Sequence, residues 1–183
     1  MEREHFWDLV EQSRQQAATI ERDPTTDFMT VHTSTLTAVL RDLTPEELIS
    51  FERHFREHLA LAYRWDIWAA AYWLHGGCGD DGFWDFRSCL ISTGKKNFDR
   101  VLANPDDLAE VEDEPNIPYL QCEGFQYVAA KVYEELTGSE MPYESANLPT
   151  VTEPQGENFD CEDETEMARR FPKLVAKYPE MGD

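Results

Sequence analysis

Residues 63–87 read Tyr63-Arg-Trp-Asp-Ile-Trp-Ala-Ala-Ala-Tyr-Trp-Leu-His-Gly-Gly-Cys-Gly-Asp-Asp-Gly-Phe-Trp-Asp-Phe-Arg87, and they hold four of the chain's five tryptophans and four of its nine glycines. An aromatic helix runs into Gly76-Gly77-Cys78-Gly79, and a second aromatic helix starts after Asp80-Asp81. Large rings supply buried area, and glycines let the backbone close where a Cβ would obstruct it. Residues 65–73 are apolar nearly all round, which predicts burial on several sides. The stretch therefore predicts an all-α fold organised around one helical corner.

Upstream of the corner, Thr44-Pro45-Glu46-Glu47 combines a cap residue, proline at the first helical position and a glutamate at the third. From there Leu48, Phe51, Phe55, Leu59 and Ala62 continue into Trp65, Trp68, Tyr72 and Trp73 without a breaker, predicting one helix of about 30 residues, roughly 45 Å long. Residues 3–21, with Phe6, Leu9, Val10, Ala17 and Ile20 inward, predict a first amphipathic helix. A second starts at Asp27, although four threonines between 30 and 37 lower its propensity.

Downstream, Asp80 or Asp81 is expected to cap a helix reaching Thr93, which Gly94 ends or kinks before Phe98, Val101 and Leu102. Residues 105–120 predict a short helical turn near 106–109 and then extended chain. Residues 124–136 place Phe125, Val128, Ala129, Val132 and Leu136 on one face, with Gly138 as the stop. Residues 139–161 carry three prolines and read as an extended strap. Residues 162–178 predict a closing helix, acidic early and basic late as the helix dipole favours, docked by Met167, Phe171, Leu174 and Val175 and divided at Pro172. The sum is a single compact multi-helix domain over residues 1–138 with an acidic, loop-rich C-terminal extension over 139–183 ending in a short helix.

The 183 residues, 41% hydrophobic, suffice for one core. Net charge is −21: residues 1–104 carry 17 acids and 11 bases, and residues 105–183 carry 20 acids and five bases. Such a field repels phosphate backbones and anionic lipid, which argues against direct nucleic-acid or membrane binding and suits a basic protein or peptide partner. No uncharged stretch exceeds 13 residues, and residues 67–79, of that length, include three glycines; such stretches are too short to span a bilayer. Acidic residues stand where a secretory signal would have a basic region, so a cytoplasmic location is expected. Cys78, Cys89, Cys122 and Cys161 lie singly, with no Cys-x-x-Cys pair. No motif implies a cofactor or a metal.

Candidate chemistry concentrates at residues 76–82, whose backbone N–H groups can hold an anion or a carbonyl. Asp80 and Asp81 are expected as helix caps, as ion-pair partners of Arg87 or Arg64, or as ligands of a hard cation or a guanidinium. Cys78, among glycines near a helix start, is either a small packed thiol or a nucleophile of lowered thiol pKa with His75 as its base; Cys78, His75, Asp80 and Asp81 carry the alternative reading of an enzyme or a small-ligand or metal-binding protein. His54 and His58 stand one turn apart with Glu57 beside them, but no Glu follows His54 directly, so the metalloprotease pattern is missing and core-boundary positions are expected. The aromatic set around the corner reads either as a large aromatic core or, since a domain of this size cannot bury all of it fully, as the partial lining of a groove. Trp65, Asp66, Asp80, Asp81, Trp84 and Arg87 form the expected partner-binding set, Arg87 and Asp80 holding the corner.

The run Tyr63–Tyr72, the Gly76-Gly-Cys-Gly-Asp-Asp-Gly-Phe83 core, Phe86-Arg87, Leu90-Ile91 and Gly94 together resemble a bacterial family known as domain of unknown function 4240. Phe6-Trp7-Asp8-Leu9-Val10 and Asn104-Pro105-Asp106-Asp107-Leu108-Ala109 extend the resemblance over about residues 2–130. It implies a helical, cytoplasmic bacterial domain and carries over no catalytic residue. The function expected is a non-catalytic protein- or peptide-binding module of regulatory or immunity type. A third expectation is nucleic-acid mimicry by the acidic second part.

Overall fold

The computed structural model describes residues 1–23, 26–111, 122, 124–143 and 151–179. The fold is all-α. Helices α1 (Arg3–Thr19) and α2 (Phe28–Leu40) pack on each other, and α3 (Pro45–Leu61) and α4 (Trp65–His75) lead into the corner. Helices α5 (Asp80–Ser92), α6 (Lys95–Ala103), α7 (Leu108–Val111) and α8 (Val128–Thr137) complete the core, and α9 (Glu164–Arg170) and α10 (Pro172–Lys177) close the described chain. The extended stretch foreseen after Ala109 and part of the strap fall at 112–121 and 144–150, outside the described residues.

Local signals set most boundaries. Asp27 accepts from the Thr30 N–H, and Thr44 and Glu47 form a reciprocal capping box. Gly76 and Gly138 end α4 and α8 in the left-handed conformation, and Gly94, at φ 92°, turns α5 into α6. Pro172 divides the closing helix into α9 and α10, with Met167, Phe171 and Leu174 buried. Ile20 and Leu136, expected inward, are exposed; each stands at or just past a helix end, where the buried stripe has turned away.

Helix α5 lies at the centre. From Phe86 to Gly94 no residue is exposed, although the run includes Arg87, Ser88, Ser92 and Thr93. The hydroxyls are satisfied within the helix: Ser88 donates to the Trp84 carbonyl, Ser92 to Cys89 and Thr93 to Leu90 at 2.7–3.1 Å. That return bonding lets polar residues face other helices without an unmet donor.

The single 30-residue helix expected before the corner is two helices. Residues 62–64 leave the helical path, and the C-terminal strap pairs with the gap: the Gln155 N–H donates to the Tyr63 carbonyl at 2.8 Å, and the Trp65 N–H to the Gln155 carbonyl at 2.9 Å. Arg64 secures the break by donating to the Leu102 carbonyl at 2.7 Å and pairing with Asp66. Ala-Tyr-Arg has no local reason to stop a helix. The reason lies some 90 residues further along the chain, in a strap that takes the freed backbone groups.

The tail is held by a second long-range bond. Asp106, buried in the short 3-10 turn Pro105–Asp107, accepts from the backbone N–H groups of Lys173 and Leu174 at 2.9–3.2 Å. Those are the second and third positions of α10, so Asp106 does from a distance what a cap residue does locally. Asp106→Ala is expected to lower stability by about 1–3 kcal/mol in urea unfolding, since it strands donors at a buried helix end; an unchanged midpoint would show the bond to be idle.

One buried histidine predicts an acid response. His32 is fully buried; Ser13 donates to the Val10 carbonyl and therefore accepts from His32 Nε2–H at 2.9 Å, while Nδ1 meets no donor. Burial pushes its pKa down to about 4. Between about pH 6.5 and 4 the unfolded chain binds a proton here that the folded state refuses, so stability falls as pH falls through that window, by about 3 kcal/mol at its lower end. The unfolding midpoint of His32→Gln is expected to vary correspondingly less between pH 7 and 4 than that of the wild type; parallel pH profiles would contradict the assignment.

Candidate functional site

Helices α3 and α5 enclose a cleft of about 360 Å³. Helix α3 contributes Arg56, Leu59 and Ala60, Tyr63 follows at the break, and α5 contributes Asp80, Asp81, Trp84 and Arg87 on successive turns; Val151 of the strap adds an apolar contact. The helical period places 80, 84 and 87 on one face, so the corner sequence reaches the cleft because α5 begins immediately after the glycine turn.

The rim and the floor differ in charge. Asp80 and Asp81 are exposed in the first turn of α5, where the helix dipole favours carboxylates. Neither caps the helix: the cap position is Gly79 in extended conformation, without a side-chain bond. Neither pairs with Arg64, which holds Asp66, nor with Arg87.

Arg87 is 6% exposed. It donates through Nε to the Phe83 carbonyl at 3.2 Å and through Nη1 to the Leu59 carbonyl at 2.9 Å. Its guanidinium lies 4.4, 4.9 and 5.4 Å from the ring centroids of Tyr63, Phe83 and Trp84. Burial pulls its pKa down to about 10, with Tyr63 and Cys78 acting in the opposite direction. The corner is thus held by Arg87 through carbonyls and rings, and the expected Asp80–Arg87 pair is absent among the described residues.

Arg56 approaches Trp84 and Tyr143 at 5.2 and 5.3 Å and donates to Glu52 at 2.8 Å. Glu52 is 1% exposed, and burial raises its carboxyl above the usual range against the opposing pull of Arg56. Glu52 and Arg56 were absent from the expected site. The signal was present in the sequence, because Glu52 occupies a core-facing register between Leu48 and Phe55.

Trp65 and Asp66 do not line this cleft. Trp65 stacks on Trp68 at 5.5 Å, Trp68 on Phe83 at 4.7 Å, and the Trp68 indole donates to the Cys78 carbonyl at 2.8 Å, so this ring column fastens α4 to α5. Asp66 accepts from Arg64 and from the Ile67 N–H. Four of the six expected residues, Asp80, Asp81, Trp84 and Arg87, come together; the other two join the supporting framework.

His54 and His58 also serve the framework. The His54 ring contacts the Met1 carbonyl and Glu57, while the buried His58 ring bonds the His54 carbonyl and stacks on Phe6 at 5.0 Å. Among the described residues no group of three potential metal ligands converges, and no helix is long and apolar enough to cross a membrane.

The family model described as "Protein of unknown function (DUF4240)" matches residues 1–135. The chain belongs to that family. The match covers α1 to α7, most of α8, the glycine corner and every cleft residue except Val151. No curated protein and no solved structure matches the chain.

Cys78 lacks the lowered thiol pKa that the nucleophile reading requires. Burial raises its thiol pKa to about 11, only partly opposed by Arg87. The His75 ring stands edge-on to Phe86 at 5.8 Å. Two units above an ordinary thiol correspond to an about hundredfold smaller thiolate fraction at neutral pH. Iodoacetamide at pH 7.5 is therefore expected to label Cys78 on the order of a hundredfold more slowly than a free cysteine, followed by peptide mass mapping; fast, selective labelling would restore the nucleophile.

Proposed function

We propose that this protein is a non-catalytic binding module whose α3–α5 cleft receives a basic segment of a protein or peptide partner. The observation that carries the reading is the state of Asp80 and Asp81. Both are exposed, both line the cleft, and neither carboxylate makes a hydrogen bond or ion pair with another described residue. Carboxylates beside the half-buried Trp84 and Tyr63 offer a guanidinium or ammonium both a charge and a ring face. The net charge of −21 adds a long-range attraction for cationic partners. The class of role this implies is a cytoplasmic regulatory or immunity-type partner.

Affinity capture from the native host's lysate tests it, with wild type beside Asp80→Asn, Asp81→Asn and Trp84→Ala. A partner protein retained by wild type is expected to be lost from the double variant, and Trp84→Ala is expected to weaken its binding by about 2 kcal/mol, about thirtyfold. Folded variants that keep every partner at unchanged affinity would refute the site.

A further inference from the structure

Two guanidiniums line the α3–α5 cleft, and they are in different states. Arg56 is neutralised by Glu52 at 2.8 Å. Arg87 has no carboxylate of a described residue within ion-pairing distance, and its Nη2 donates to none of them. Burying a cation is costly unless charge or several donors compensate it. Two carbonyls and three ring faces supply part of that compensation, Nη2 is left without a described partner, and Arg87 lines the cleft.

We propose that Arg87 is a carboxylate receptor at the floor of the cleft, so that the peptide segment bound there presents a carboxylate to Arg87 and a basic side chain to Asp80 and Asp81. This rests on the binding reading above and specifies its ligand. The planar fork accepts a carboxylate through two parallel N–H···O bonds, which a lone ammonium cannot do. The charge count favours a monoanion: two rim carboxylates repel a phosphate dianion more strongly than a carboxylate, whose single charge Arg87 balances. The cleft's volume of about 360 Å³ lies at the small end of ligand sites, room for an end or a turn of a peptide rather than a long segment. The carboxylate comes from a chain terminus or from an Asp or Glu side chain, and the experiment separates the two.

The probes are hexapeptides with Lys or Arg fixed at each position in turn, prepared with a free C-terminal carboxylate, as C-terminal amides, and as amides carrying one Asp or Glu. Binding to the wild-type protein is measured by calorimetry. Free acids binding about tenfold more tightly than their amides identify a terminal carboxylate, and the same gain confined to Asp- or Glu-containing amides identifies a side chain. In Arg87→Lys either preference is expected to shrink to about twofold or less, with affinity for the neutral amides retained. The comparison on wild type decides alone if that variant fails to fold. Peptides that bind through Asp80 and Asp81 with no dependence on any carboxylate overturn the role of Arg87 and leave the binding module standing. A full tenfold preference retained in folded Arg87→Lys likewise overturns it, and no binding by any probe overturns both readings.

Discussion

The buried guanidinium of Arg87 ties the end of one helix to the start of another. Leu59 is among the last residues of α3, whose final carbonyls lack partners within the helix, and its carbonyl accepts from Arg87 Nη1. The same region is the negative end of the α3 dipole, where a cation is favoured. Phe83, one turn before Arg87, takes the second bond, and the Tyr63 ring at the helix break covers one side of the group. An arginine at 6% exposure is tolerable because a helix end, a carbonyl within its own helix and three aromatic faces converge on it. The angle between α3 and α5, and with it the cleft, follows from that convergence.

The break at residues 62–64 couples this centre to the tail. Tyr63 serves in three ways: its carbonyl accepts from Gln155, its ring faces Arg87, and its side chain lines the cleft. The strap that reaches Gln155 begins its described course at Val151, another lining residue. Beyond it, Asp106 caps α10, Lys173 pairs with Asp107 and Glu110, and Lys177 donates to the Ala109 carbonyl. The tail therefore reaches the site through backbone pairing at the break, and its own anchors are carboxylates and carbonyls of the matched family region.

Legibility in the sequence followed the range of the interaction. The capping box at Thr44, the Asp27 cap and the stops at Gly76, Gly94 and Gly138 are local, and each was readable from a few consecutive residues. The break after Leu61 was not, since Ala-Tyr-Arg is compatible with helix and its partner is Gln155. Asp80 and Asp81 illustrate a subtler limit. Sequence placed them correctly at the start of α5 but could not choose between capping, pairing and an open role, because the extended backbone at Gly79 already defines the helix start. Asp106 shows the converse: a carboxylate with no local signal caps a helix 67 residues away. At Cys78 proximity to a helix start argues for a low thiol pKa and packing for a high one, and burial dominates in the folded corner.

The cleft and the chain's overall charge act on different length scales, and that difference bears on what the proposed site selects. At physiological ionic strength charge is screened beyond about 8 Å, so the acidic surface governs approach and favours cationic partners during encounter. Arg87 is 6% exposed at the floor of the cleft, so it acts only on a group already inside the cleft. In the proposed binding mode a purely basic ligand is attracted efficiently but leaves the floor charge uncompensated, and a purely acidic one is repelled before it arrives. Only a segment carrying both signs satisfies the two scales at once. Selectivity of that kind requires no unusual affinity at either end, because each charged group of the cleft penalises the ligand that lacks its complement.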